Sequence, residues 1–230
     1  MKISPTLVVI LAVAIFIAAI TPFDVAFSAA TLGSTWLRVL LVAALALRGA
    51  YFADRIGLRL SAAGIKTQIL VGASGALIVA LYVAMIDTVL FRHALPADYV
   101  QLFHANSLQN RFLYFMFRAF NENVIYRLFL FSTLAWLLTC AAKVVKVASL
   151  PPYLLWAAMI AVQSINIAIN VTAFAPDPLA FSTLSYDLLR YVVPGVGWVW
   201  LFYRYDFVTT EIAAVGSHLF LQPILGAALG

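Results

Sequence analysis

Hydrophobic residues in this chain come in long runs, without the short alternations of a water-soluble protein. Seven runs stand out, at 5–23, 35–52, 68–91, 112–142, 152–172, 188–203 and 209–228. A helix rises about 1.5 Å per residue, so roughly 20 apolar residues cross the ~30 Å hydrocarbon layer of a bilayer. Each run therefore predicts a transmembrane helix, the sixth being short. The fourth is too long for one upright crossing, and is expected to start in the interface, to tilt, or to break near residues 121–123. Between the runs, 93–110 holds Pro96, Asp98, His104 and Asn106, and 173–187 holds Pro176, Asp177 and Pro178. Both read as loops from their breaker residues. The first run also has the outline of a signal peptide, with Ala26-Phe27-Ser28 as a poor cleavage site. Its thin basic flank and its length favour a retained helix. The predicted fold class is all-α: one polytopic transmembrane helical bundle of about seven spans, a single membrane domain over residues 1–230.

Composition agrees. The chain is 65% hydrophobic and 10% charged, against roughly a quarter charged in soluble domains. The net charge is +5, yet the basic residues sit at the ends of runs and form no single patch. That excludes nucleic acid as the expected partner and points to membrane lipid. With seven spans, Lys2, Arg48, Arg55, Arg59, Lys66, Lys143, Lys146 and Arg204 all fall on one side. The positive-inside bias makes that side cytoplasmic, placing the N-terminus inside and the protein in the cell (inner) membrane. Arg92, Arg111 and Arg190 fall on the other side. The single cysteine, Cys140, forms no internal disulfide and is expected in the core or facing lipid.

Polar residues inside the runs carry the functional signal. Asn121-Glu122-Asn123-Val124-Ile125-Tyr126-Arg127 sets a carboxylate, amides, a phenol and a guanidinium within an apolar stretch. Glu122 and Tyr126 share a helix face, as do Asn123 and Arg127 one step round. Arg118 lies one turn before Glu122. Gln163, Asn166 and Asn170 form a stripe on the fifth run; Glu211, His218 and Gln222 form another on the seventh. Such residues either glue helices together or mark a site. Two of the three histidines, His93 and His104, lie in a loop, so no metal and no other cofactor is expected. There is no Gly-x-Ser-x-Gly elbow and no Gly-rich phosphate loop. A carboxylate, an imidazole and amides remain. They suit peptide hydrolysis, with a carboxylate base and an oxyanion pocket, and equally proton-coupled transport.

At these residues the chain resembles the CAAX protease and bacteriocin-processing (CPBP, or Abi) family of intramembrane proteases. That family carries Glu-Glu-x-x-x-Arg, Phe-x-x-x-His and His-x-x-x-Asn/Asp on successive helices. Here the first motif reads Glu122-Asn123-Val124-Ile125-Tyr126-Arg127, with Asn123 in the second glutamate's place. The last reads His218-Leu219-Phe220-Leu221-Gln222. The middle motif has Asn166 and Asn170 where Phe and His would fall. The match runs from Met116 to Gln222. It divides the chain into divergent N-terminal helices (1–111) and a CPBP-like core (112–228). The resemblance implies a glutamate-dependent endopeptidase acting on a peptide or protein substrate in the membrane. Glu122 would activate water, assisted from Asn170, and His218 with Gln222 would form the oxyanion pocket. Asn123, Tyr126, Arg127, Asn166 and Glu211 would support the site, Arg127 by orienting the acidic motif. The substitutions at Asn123 and Asn170 leave two alternatives: a catalytically silent relative acting in binding or immunity, and a small proton-coupled transporter.

Overall fold

A computed structural model describes residues 4–20, 34–172, 175 and 177–230. Among the described residues the chain is helical and has no strand. We number the helices α1 (Pro5–Ile20), α2 (Thr35–Ile56), α3 (Ile65–Leu90), α4 (Ala97–Ala105), α5 (Leu108–Ala141), α6 (Pro152–Asn170), α7 (181–204) and α8 (Phe207–Leu229).

Five of them are long and apolar enough to cross a membrane: α2, α3, α5, α6 and α8. The protein is thus an integral membrane protein by length and composition, with five such helices against about seven expected. α1 is apolar but has only 16 residues. α7 carries Asp187, Arg190 and Arg204, which removes it from the set. Leu40, Leu70, Ile78, Leu81 and Trp156 are exposed on the outer faces of the bundle, as lipid-facing helices require.

The helix ends follow local chemistry. Gly57 stops α2 in the left-handed conformation (φ 83°) and donates to the carbonyls of Ala53 and Asp54. Pro152 opens α6, where its missing N–H costs nothing. Asp206 caps α8 by accepting from Thr209 N at 2.7 Å.

Two of the expected loops are partly helical. Residues 97–105 form α4, and α5 starts at Leu108 under a Ser107 cap. Pro96 does not oppose this, because it stands at the N-cap of α4, ahead of the first helical N–H. Likewise 181–187 is the first part of α7; residues 173, 174 and 176 of that expected loop lie outside the described residues. The fourth run does not break. α5 is one continuous helix of 34 residues. Its middle, Asn123–Phe131, is wound as a wide π-helical segment instead. Such widening rotates the side chains on either side of it relative to one another, and it recurs at functional sites.

α5 is the spine of the bundle. Its first half packs on α8, its wide middle on α2 and α6, and its last turns on α2. α3 lies along α8, and α1 along α2. The largest apolar core joins α1, α2, the later part of α5, α6 and α7 around Phe131, Met159 and Phe202. A smaller one joins α3, α4 and α8. The first half of α5 runs between the two, and the cavity opens beside it.

Candidate functional site

A cavity of ≈510 Å³ lies between α3, α4, α5, α6, α7 and α8. Of the residues singled out from the sequence, Glu122, Asn123, Arg127, Asn166, Asn170 and His218 line it. They come from α5, α6 and α8, the three helices carrying the polar stripes. Tyr126, Glu211 and Gln222 do not line it. Gln222 was expected beside His218, yet one turn further along α8 it is 1% exposed and off the cavity wall. The structure thus does not bring it together with His218 on the cavity wall.

The acid of the site is paired within its own helix. Arg118 Nε donates to Glu122 Oε1 at 2.7 Å, an i,i+4 contact, so the pair does not tie two helices together. The next residue does make that tie: Asn123 Nδ2 donates to Glu211 Oε2 on α8 at 3.0 Å. This explains why Glu211 is buried without reaching the cavity. Arg127 Nη2 donates to Gln163 Oε1 on α6 at 2.8 Å. Asn170 Nδ2 donates to the Tyr126 hydroxyl at 2.6 Å and to Asn166 Oδ1 at 2.7 Å. Tyr126 is thereby a support that holds the Asn170 amide from outside the wall. The His218 ring stacks on Phe115, centroids 5.4 Å apart and planes 17° apart. That contact sets the ring's plane.

Several buried polar atoms of these residues have no hydrogen-bond partner among the described residues: Asn123 Oδ1, Arg127 Nε, Asn166 Nδ2, Asn170 Oδ1 and His218 Nδ1. Each such atom costs about 1–3 kcal/mol unless something satisfies it. All five belong to residues that line the cavity, and such unmet groups are the ones a bound molecule can satisfy. The chemistry on offer is two carboxylates (Asp98 and Glu122), an imidazole, four amides and three guanidinium groups, enough to hold water and to polarise a carbonyl.

A second polar cluster adjoins the cavity and escaped the sequence reading. Asp87, fully buried near the end of α3, takes Arg190 Nε on α7 at 2.8 and 2.9 Å. It also accepts from the hydroxyls of Tyr99 at 2.8 Å and Tyr186 at 3.1 Å. Arg190 donates further to the Tyr99 hydroxyl at 3.2 Å. Arg190, Tyr99 and Asp98 line the cavity, so α4 and α7 close one side of it through this cluster. Burial pushes the Tyr99 phenol above its usual range, outweighing the Arg190 charge beside it. The signal that would have found the cluster is a lone carboxylate, Asp87, inside an apolar run. In the sequence, Arg190 stands out only by its side of the membrane.

No protein-family model matches the chain, and neither a curated protein nor a solved structure matches it.

Proposed function

We propose that the protein is a glutamate-dependent intramembrane endopeptidase, a divergent relative of the CPBP family, which hydrolyses a membrane-associated peptide in the cavity. The supporting observation is the convergence of Glu122, His218, Asn166 and Asn170 from three helices on one cavity, with polar atoms that have no partner among the described residues. A pocket of that kind, among helices that themselves face lipid, can hold water where the surroundings exclude it.

In this reading Arg118 holds Glu122 Oε1, and Oε2 takes a proton from the attacking water. The water oxygen bonds to the scissile carbonyl carbon, and the carbonyl π pair moves on to its oxygen. When that pair returns, the C–N bond breaks and the leaving amine takes the proton from Glu122. Asn170 binds water through its amide but relays no proton, so Glu122 performs both transfers. His218, its plane set by Phe115, faces the reacting group. α1 and α7 also cross the bilayer, giving seven spans in the cell (inner) membrane with the N-terminus cytoplasmic.

Glu122→Gln keeps the shape and the Arg118 hydrogen bond but removes the base. Cleavage is expected to fall by 10²-fold or more, while the purified protein still folds with a somewhat lower unfolding midpoint, because Arg118 loses its counter-charge. The substrate is found by comparing membrane peptide profiles of cells expressing the wild type, Glu122→Ala and His218→Ala. Identical profiles in all three count against a peptidase. A pH-gradient response in proteoliposomes that depends on Glu122 points to proton transport instead.

A further inference from the structure

We infer that the cavity holds an oxyanion site built on Arg127 and Asn166. In the hydrolysis proposed above, this site takes the charge on the scissile carbonyl oxygen, the role expected of Gln222, which does not line the cavity. The chemical step rests on that reading; the existence of the site does not.

Three arginines line the cavity, and two are already neutralised: Arg118 by Glu122 and Arg190 by Asp87. Arg127 is different. It is 4% exposed, and among the described residues no carboxylate oxygen lies within ion-pairing distance of it. Its hydrogen bond goes to a neutral acceptor, Gln163 Oε1, and its Nε has no partner. Glu122 and Glu211 act on Arg127 electrostatically from beyond contact distance, while their hydrogen bonds go to Arg118 and Asn123. A buried guanidinium without an anion is costly, and its planar fork of donors matches oxyanions. An anion that enters the cavity removes that cost.

The surrounding residues hold the guanidinium in place. Gln163 Nε2 donates to Tyr191 O at 3.4 Å, and Gln163 packs so tightly on Gly195 that any Cβ there would overlap its amide. Gln163 is thus clamped between two points of α7, and it fixes Arg127 in turn. Three residues further along α6, Asn166 is 1% exposed and lines the cavity, and its Nδ2 is the second unpartnered donor. An arginine and an amide donor fixed before the reaction supply what a developing alkoxide needs without reorganisation.

The test uses the full chain in detergent with inorganic phosphate as the probe, against chloride at matched ionic strength. Phosphate is expected to raise the unfolding midpoint of the wild type and of Gln222→Leu by roughly 2–4 °C, and to leave Arg127→Gln unmoved. Asn166→Asp, which supplies a resident carboxylate, is expected to raise the basal midpoint and to abolish the phosphate effect. It decides the matter should Arg127→Gln not fold. No phosphate effect on the wild type, or an effect on Asn166→Asp and Arg127→Gln as large as on the wild type, overturns the site. Once a cleaved substrate is known, Arg127→Gln is expected to lower kcat by about 10²–10³-fold with little change in KM. Added guanidinium ion is expected to restore part of the rate in Arg127→Ala. A wild type that binds phosphate but cleaves nothing refutes the peptidase reading and leaves the oxyanion site standing.

Discussion

Asp206 shows how much one side chain can organise. Its Oδ2 accepts from Ala62 N at 2.7 Å, Ala63 N at 2.8 Å and Gln68 Nε2 at 2.9 Å. Its Oδ1 accepts from Thr209 N and Oγ1, both at 2.7 Å. One carboxylate thereby caps α8 and pins the α2–α3 connection to it, just outside the spanning helices. Burial works against its ionisation, but the donors of Ala62, Gln68 and Thr209 outweigh that, and its pKa lies below the ordinary aspartate range. A depressed folded-state pKa contributes stability that is fully present above the unfolded value, near pH 4, and is lost as pH falls through the folded value. Asp206→Asn is therefore expected to cost roughly 2–4 kcal/mol at pH 7, the cost of charge-assisted bonds lost to buried donors. The difference from the wild type should shrink below pH 4, measured as unfolding midpoints against pH.

At the scale of elements, the wide turn of α5 depends on a close neighbour. Gly49 on α2 faces it so closely that a Cβ would stand 2.6 Å from Leu128 O and 2.8 Å from Phe129 Cα. Both are backbone atoms and cannot swing aside. Gly49→Val is expected to push α2 off α5 and to destabilise the fold by about 1–3 kcal/mol or more, read as a lower unfolding midpoint. Nothing in the sequence around residue 49 reveals this, because the partner backbone is some 80 residues away in the chain. The apolar runs did reveal α2, α3, α5, α6 and α8, since bilayer thickness imposes length and apolarity on each helix separately. α4 was hidden behind Pro96, Asp98 and His104, although Val100 and Phe103 stand three apart and Phe103 is buried. In the site, the stripe Gln163, Asn166 and Asn170 was legible because helical period alone aligns it. The division of roles among Arg118, Arg127 and Arg190 was not, since it depends on which carboxylate each meets across the bundle. Gln222 misled for the same reason: spacing of four from His218 gives a shared side, but a cavity wall is narrower than a helix side.

For the molecule as a whole, the arrangement of loops can be read with the one thiol. Cys140 is free and exposed in the last turn of α5, three residues before Lys143. With the N-terminus inside, a membrane-impermeant maleimide is expected to spare it in intact cells and to label it in inside-out vesicles. Labelling of intact cells would invert the topology and move the Asp87 cluster to the cytoplasmic side.

The uninterrupted length of α5 has a further consequence. Its 34 residues span about 51 Å, against a hydrocarbon layer of ~30 Å. A rod so much longer than its host must lean steeply, stand proud of the surface, or dimple the lipid around it. Since the carboxylate of Glu122 rides midway along that rod, its depth relative to the phosphates is set by acyl-chain length as much as by the polypeptide. Under the hydrolysis proposed above, lipid composition then becomes a control on which peptide bonds come level with the acid.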